Sequence, residues 1–162
     1  MSASFHFDDL SRFTTGTIGP KGQRVFYLQA DADGDVVSLK VEKQQVSALA
    51  EYLARLLEDC PTVTDQVDPG ALDETVLPEW TAGPLGVAYD EGSDRVVVVA
   101  EELLAEDHAT EGDAATARFG LSRAQAAAFV ERAREIVAAG REPCSYCGRP
   151  LEPGTTWCPC HN

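Results

Sequence analysis

The stretch Ala115-Thr116-Ala117-Arg118-Phe119-Gly120-Leu121-Ser122-Arg123-Ala124-Gln125-Ala126 passes from a strand into a helix, and an earlier stretch follows the same plan. Residues Ala115 to Leu121 suit a strand, and Ser122 opens the helix. The apolar positions of that helix are Ala126, Phe129, Val130, Ala133, Ile136 and Val137. The same steps occur earlier at Val46, Leu49, Ala50, Leu53, Leu56 and Leu57. Two amphipathic helices of one pattern, each preceded by strands, point to a repeated unit.

Working outward, Arg12 to Ile18, Arg24 to Ala30 and Val36 to Val41 read as three strands before the first helix, Lys43 to Asp59, which Pro61 stops. Asp31-Ala32-Asp33-Gly34-Asp35 has the residue types of a hairpin turn. It also resembles the start of a Ca²⁺ loop, but flanking helices are missing. In the second half, Leu85 to Tyr89, the Val-rich Arg95 to Ala100 and Ala115 to Leu121 precede the second helix, which ends near Gly140. Continuous apolarity predicts burial of both faces of Arg95 to Ala100. An alignment of the halves sets Arg24-Val25-Phe26-Tyr27-Leu28 against Arg95-Val96-Val97-Val98-Val99, and Leu39, Val41 and Gln45 against Phe119, Leu121 and Gln125. Ser4 to Asp8 is a short edge strand or an arm.

The expected fold class is therefore α+β: a duplicated βββα body with a small zinc-binding tail. Residues 1–60 form the first half, 61–84 an acidic, proline-containing connection, 85–140 the second half and 141–162 the tail. Neither half is large enough to bury its own sheet face, so the two share a core through pseudo-two-fold packing, as one sheet or as two. Val76, Leu77 and Trp80 are the residues that would pin the connection to the body, and Trp80 would otherwise be an exposed anchor for a partner.

The chain has 162 residues, with 27 Asp and Glu against 13 Lys and Arg, a net charge of -14. That field repels nucleic-acid phosphates and anionic lipid. The N-terminus lacks the basic and apolar segments of a secretory signal, so the expected location is cytoplasmic. Clustered cysteines there suggest metal before disulfides.

The tail carries Cys144-Ser145-Tyr146-Cys147-Gly148-Arg149-Pro150 and, further on, Cys158-Pro159-Cys160-His161. A Cys-x-x-Cys-Gly turn aims two thiolates at one ion, and a second donor group about ten residues later completes a tetrahedral Zn²⁺ site. Thiolates disfavour Mg²⁺ and Ca²⁺. Cys144, Cys147 and Cys158 are three ligands, and the fourth is Cys160 or His161. A full protein ligand set makes the zinc structural.

Phe13-Thr14-Thr15-Gly16-Thr17-Ile18-Gly19, Gly22-Gln23-Arg24-Val25-Phe26-Tyr27-Leu28 and the close from Gly140 to Pro150 resemble an actinobacterial family of unknown function, over nearly the whole chain. The resemblance implies a small acidic protein ending in a zinc-ribbon-like tail. It also implies genomic company with a histidine-phosphatase-like and a kinase-like protein, either of which would be a candidate partner. The family tail has a Gly-His-x-Cys-Pro segment; here Thr156 holds the histidine position.

Two functions follow as expectations. The first is a protein-interaction or adaptor module with a structural zinc tail. The second is an enzyme or enzyme subunit that binds an anionic ligand between the halves, with Arg24 and Arg95 at matched strand starts. Lys21, in the Gly- and Thr-rich Thr14 to Gly22 segment, is a further candidate for that ligand. Nucleic-acid binding ranks last, because Arg141 and Arg149 are few against the net charge.

Overall fold

The computed structural model describes residues 2–20, 22–73, 76–104 and 114–139, together with Tyr146, Cys147 and Cys160. Seven strands and two helices follow one another as β1 (Phe5–Phe7), β2 (Arg12–Ile18), β3 (Val25–Ala32), β4 (Asp35–Val41), α1 (Lys43–Glu58), β5 (Pro78–Asp90), β6 (Arg95–Glu102), β7 (Thr116–Leu121) and α2 (Arg123–Ala138). The fold is α+β, and the strands form one sheet in the order β1-β7-β6-β5-β4-β3-β2.

The hairpins have local causes. Asp33 and Gly34 both take positive φ between the paired Ala32 and Asp35, the geometry of a two-residue hairpin turn. The Gly34 amide donates to the Asp31 carboxylate at 2.9 Å. Asp94, also at positive φ, closes the turn from β5 to β6.

The helices start alike. The Ser122 hydroxyl accepts from the Gln125 amide at 3.0 Å, while the Ser122 amide donates to the Gln125 side chain at 2.8 Å. At α1 the Glu42 amide donates to the Gln45 side chain at 2.7 Å. The buried residues stand at the same steps in both: Val46, Leu49, Ala50 and Leu53 in α1, and Ala126, Phe129, Val130 and Ala133 in α2.

The sheet curls back on itself. β1 and β2 are the outermost strands of the order, yet only Asp8 to Ser11 join them. Flat, six strand spacings of ~4.8 Å would part them by about 29 Å. The chain from Phe7 to Arg12 reaches at most about 19 Å. Two consecutive amides complete the closure: Leu10 donates to the Gly120 carbonyl of β7 at 3.0 Å, and Ser11 to the Asp31 carbonyl of β3 at 2.8 Å. Phe5 to Ile18 thus run as one stave, parallel to β7 and then antiparallel to β3.

β5 plays the same double role in a single strand. Pro78 to Thr81 pairs in parallel with β4, a bulge lies between Ala82 and Leu85, and Leu85 to Asp90 pairs antiparallel with β6. The strand therefore begins inside the expected 61–84 connection. Pro84 falls at the bulge, where a missing N–H breaks no ladder bond. At each change of partner a glutamine from a helix start holds the chain: Gln45 Nε2 donates to Gly83 at 2.7 Å, and Gln125 Nε2 to Leu10 at 2.8 Å.

One core joins both halves. The Phe13 ring of β2 lies 4.8 Å from Phe129 of α2 and 5.6 Å from Phe119 of β7. Each of these fully buried rings contributes about 2–3 kcal/mol by removal from water. Trp80 is 6% exposed and its Nε1 donates to the Ala3 carbonyl at 2.8 Å, so it is a core residue and not a surface anchor. Leu77, expected to pin the connection, is 75% exposed.

The connection is ordered over its middle by the outer face of β2 and β3. Thr14 Oγ1 donates to the Gly70 carbonyl at 2.8 Å, Arg12 Nη1 donates to Ala71 at 2.9 Å, and the Asp73 amide donates to Gln29 Oε1 at 2.9 Å. Leu72 lies where a Gly16 side chain would be. Gln29 is wholly buried beneath this strap and also donates to Ser38 Oγ at 3.1 Å. Nothing comparable covers the outer face of β5 and β6 among the described residues: Gly86, Ala88 and Val99 are exposed there. The expected burial of both faces of β6 holds at Val97, which is 5% exposed, and fails at Val99, which is 36% exposed.

Candidate functional site

The matched arginines are the first test of the sequence reading. Phe26 pairs with Val41 at the end of β4, and Val96 pairs with Leu121 at the end of β7. Phe26 therefore corresponds to Val96, and the counterpart of Arg24 is Asp94. The aligned strands were one residue out of step, which in a sheet reverses the face of every side chain. Arg24 stacks over the Phe26 ring at 5.0 Å and donates to the Ile136 carbonyl near the end of α2 at 3.1 Å. Arg95 pairs with Asp9 at 3.2 Å. The two do not share a site. Lys21 lies outside the described residues.

Between the helices runs a shallow groove of about 200 Å³ lined by Ser47, Ala50, Ala133 and Val137, with an Arg134–Glu51 ion pair of 3.5 Å on its rim. It presents no convergent donors.

Two recesses flank Arg95. One, of about 190 Å³, lies between the start of α2 and the strap. Its electrostatic centre is Asp94. Arg123 grips both Asp94 oxygens, from Nε at 2.9 Å and Nη2 at 3.3 Å, and its Nη1 donates to the Pro61 carbonyl at 2.7 Å. Tyr89 donates its hydroxyl to Asp94 at 2.7 Å. The Arg123 hydrogen bonds, with that of Tyr89, hold the Asp94 carboxyl below the usual carboxylate range. The same bond to Asp94 raises the Tyr89 phenol, and burial adds to it. Arg123 is raised in turn by Asp94. Nearby Cys60 donates its thiol to Leu56 at 3.2 Å, and burial raises its pKa against the opposing pull of Arg123. A thiol so placed is a weak nucleophile at neutral pH. This network ties α1, α2 and the β5–β6 turn together.

The other recess, of about 430 Å³, opens on the outer face of β6 and β7, against the closing stave. Val97 and Gly120 line it between Arg95 and Arg118, with Asp8, Asp90 and Ser93 around them. Gly120 cannot carry a side chain: a Cβ there would collide with the Asp8 carbonyl.

The tail is described only at Tyr146, Cys147 and Cys160, all exposed. Cys144, Cys158 and His161 lie outside the described residues. Among the described residues no group of three or more His, Cys, Asp or Glu stands close enough to hold a metal ion.

A family model described as "Protein of unknown function (DUF3090)" matches residues 5–158. The chain belongs to this family. The match takes in the closing stave, both helices and the first three of the tail cysteines. No curated protein and no solved structure matches the chain. The site thus stands on its own geometry. The sequence singled out Arg95, in a groove between the halves with Arg24, but not Arg118, Arg123, Asp94 or Gly120. The period-two alternation Thr116, Arg118, Gly120 was the available signal, since it sets an arginine beside a glycine on one face.

Proposed function

We propose that this member of the family is a protein-interaction module whose tail holds one structural zinc ion. The observation that carries the reading is the difference in covering between the halves. The first half closes its outer sheet face with its own strap, and the second leaves Gly86, Ala88 and Val99 exposed. A partly apolar sheet face left uncovered by the described residues, on an otherwise strongly charged protein, suits a partner surface.

The donor set of the tail fits zinc. Cys144, Cys147 and Cys158 with Cys160 or His161 are thiolate-rich, as a tetrahedral Zn²⁺ requires. Bound zinc would fold a segment with too few apolar residues for its own core. The matching helix steps and the equivalent Gln45 and Gln125 bonds support descent of the body from a duplicated βββα unit. The lack of any helix among the described residues able to cross a membrane is compatible with cytoplasmic residence. The histidine-phosphatase-like and kinase-like proteins implied by the resemblance are the first partners to try.

The test is elemental analysis of untagged, reduced protein, paired with co-purification from native lysate with and without chelator. About one zinc per chain, with partners lost on chelation, is the expected result. Zinc without any effect of chelation on partners confines the tail to a structural role. Metal-free protein removes the zinc reading.

A further inference from the structure

We propose that the recess between Arg118 and Arg95 binds a small zwitterion, a molecule with a carboxylate at one end and an ammonium group at the other. This goes beyond the docking function and requires neither the zinc nor a protein partner.

Arg118 differs from the other arginines. Every other half-buried arginine among the described residues has a partner: Arg12 has Asp73, Arg95 has Asp9, Arg123 has Asp94, Arg24 has the Ile136 carbonyl and Arg132 the Thr15 carbonyl. Arg118 is half-buried and has no hydrogen bond or ion pair among the described residues. Its guanidinium nitrogens stay open to water, so their donors are available to a ligand without breaking a contact among the described residues. A planar fork of unused donors matches a carboxylate in two places at once.

The recess next to it is structural. Gly120 must lack a side chain because the Asp8 backbone crosses there, so the closing stave packs directly on β7 and forms one wall of the recess. The volume of about 430 Å³ is in the range of small-ligand sites.

The remaining groups select the ligand's charge pattern. Asp8 and Asp90 line the recess, and each uses one oxygen on a local donor, His6 at 2.9 Å and the Gly92 amide at 3.1 Å. Their other oxygens have no partner among the described residues. A plain anion on Arg118 would face these carboxylates; an ammonium group on the same molecule turns that repulsion into attraction. Ser93 adds a neutral hydrogen-bonding group.

The full chain is titrated with γ-aminobutyrate and followed by amide NMR, with acetate and propylamine as probes carrying one charge each. Saturable, millimolar shifts centred on Val97, Arg118 and Gly120 are expected with the zwitterion, at least tenfold tighter than with either control. Arg118→Gln should weaken binding at least tenfold while leaving the thermal midpoint unchanged, because the arginine has no structural partner to lose among the described residues. Asp90→Asn should weaken the zwitterion and not acetate. Arg134→Gln, on the helix surface, should change nothing. The proposal fails if no saturable shift appears at these amides, if acetate binds as well as the zwitterion, or if Arg118→Gln retains full affinity. It also fails if Arg118→Gln lowers the thermal midpoint, which would make Arg118 a structural residue.

Discussion

The two halves of the sheet present the same positions to opposite fates. Gln29 of β3 and Val99 of β6 are equivalent by strand register, and both point outward. Gln29 is wholly buried, with Arg12, Ser38 and the Asp73 amide as partners. Val99 is 36% exposed. Here polarity and burial are inverted relative to the usual rule. A polar side chain went inside because the strap brings backbone groups that need it, and an apolar one stayed outside where no strap passes among the described residues. Burial at these positions is decided by what lies above the sheet and not by the strand.

The contrast can be broken most severely at Gly120. Gly120→Ala forces the closing stave away from β7 and should cost about 3 kcal/mol or more, or prevent folding, as read by urea unfolding. Its counterpart in β4 is the exposed Lys40, and Lys40→Ala should stay within about 0.5 kcal/mol. Equal effects at the two positions would contradict the closed sheet. Next comes the strap. Gln29→Leu strands the Asp73 amide and an Arg12 donor and should cost about 1–3 kcal/mol, while Val99→Gln should be near neutral. Hydrogen exchange at Asp73 should speed up in the first variant alone.

A smaller effect comes from acid. Asp94 has a depressed pKa in the folded chain, so its contribution is present above the unfolded carboxylate pKa and is lost as pH falls through the lower folded value. Tyr89 is raised, so its contribution holds below the unfolded phenol pKa and is lost as pH rises through the higher folded value. Asp94→Asn should flatten the acid limb of a stability–pH curve and weaken the alkaline one, with little change in shape elsewhere. Least of all, Cys60 should react more slowly with a thiol reagent at neutral pH than an unstructured cysteine, and Arg123→Ala should slow it further by removing the cation that lowers its pKa.

How much was legible follows from the range of the interactions. The helices were readable because their apolar steps and the start of α2 at Ser122 are local, and the eight buried positions fall at the predicted steps. The Asp31 to Asp35 hairpin was readable from its turn residues. Register was not, since Arg-Val runs begin both β3 and β6 regions and a one-residue slip looks equally good in sequence. The passage of β5 through Pro84 was hidden because a proline ordinarily ends a strand, and only the bulge admits it. The closure of the sheet depends on pairing Phe5 with Ala117, a contact no local pattern announces. The recess at Arg118 exists only through that closure, so it could not be foreseen without it.

The closing stave also sets an order of events during synthesis. Phe5 to Phe7, the first strand of the sheet to be made, pair with the last, Thr116 to Leu121. Until that strand emerges, the N-terminal segment has one side without a mate, while β2 to β5 can already assemble from neighbouring hairpins and a single helical crossover. Such long-range closure is slow, and an unpaired strand edge waiting for it invites association with other nascent chains. Completion of the sheet therefore waits on β7, and an insertion in the Asp8 to Ser11 link would disturb it more than one at any internal hairpin.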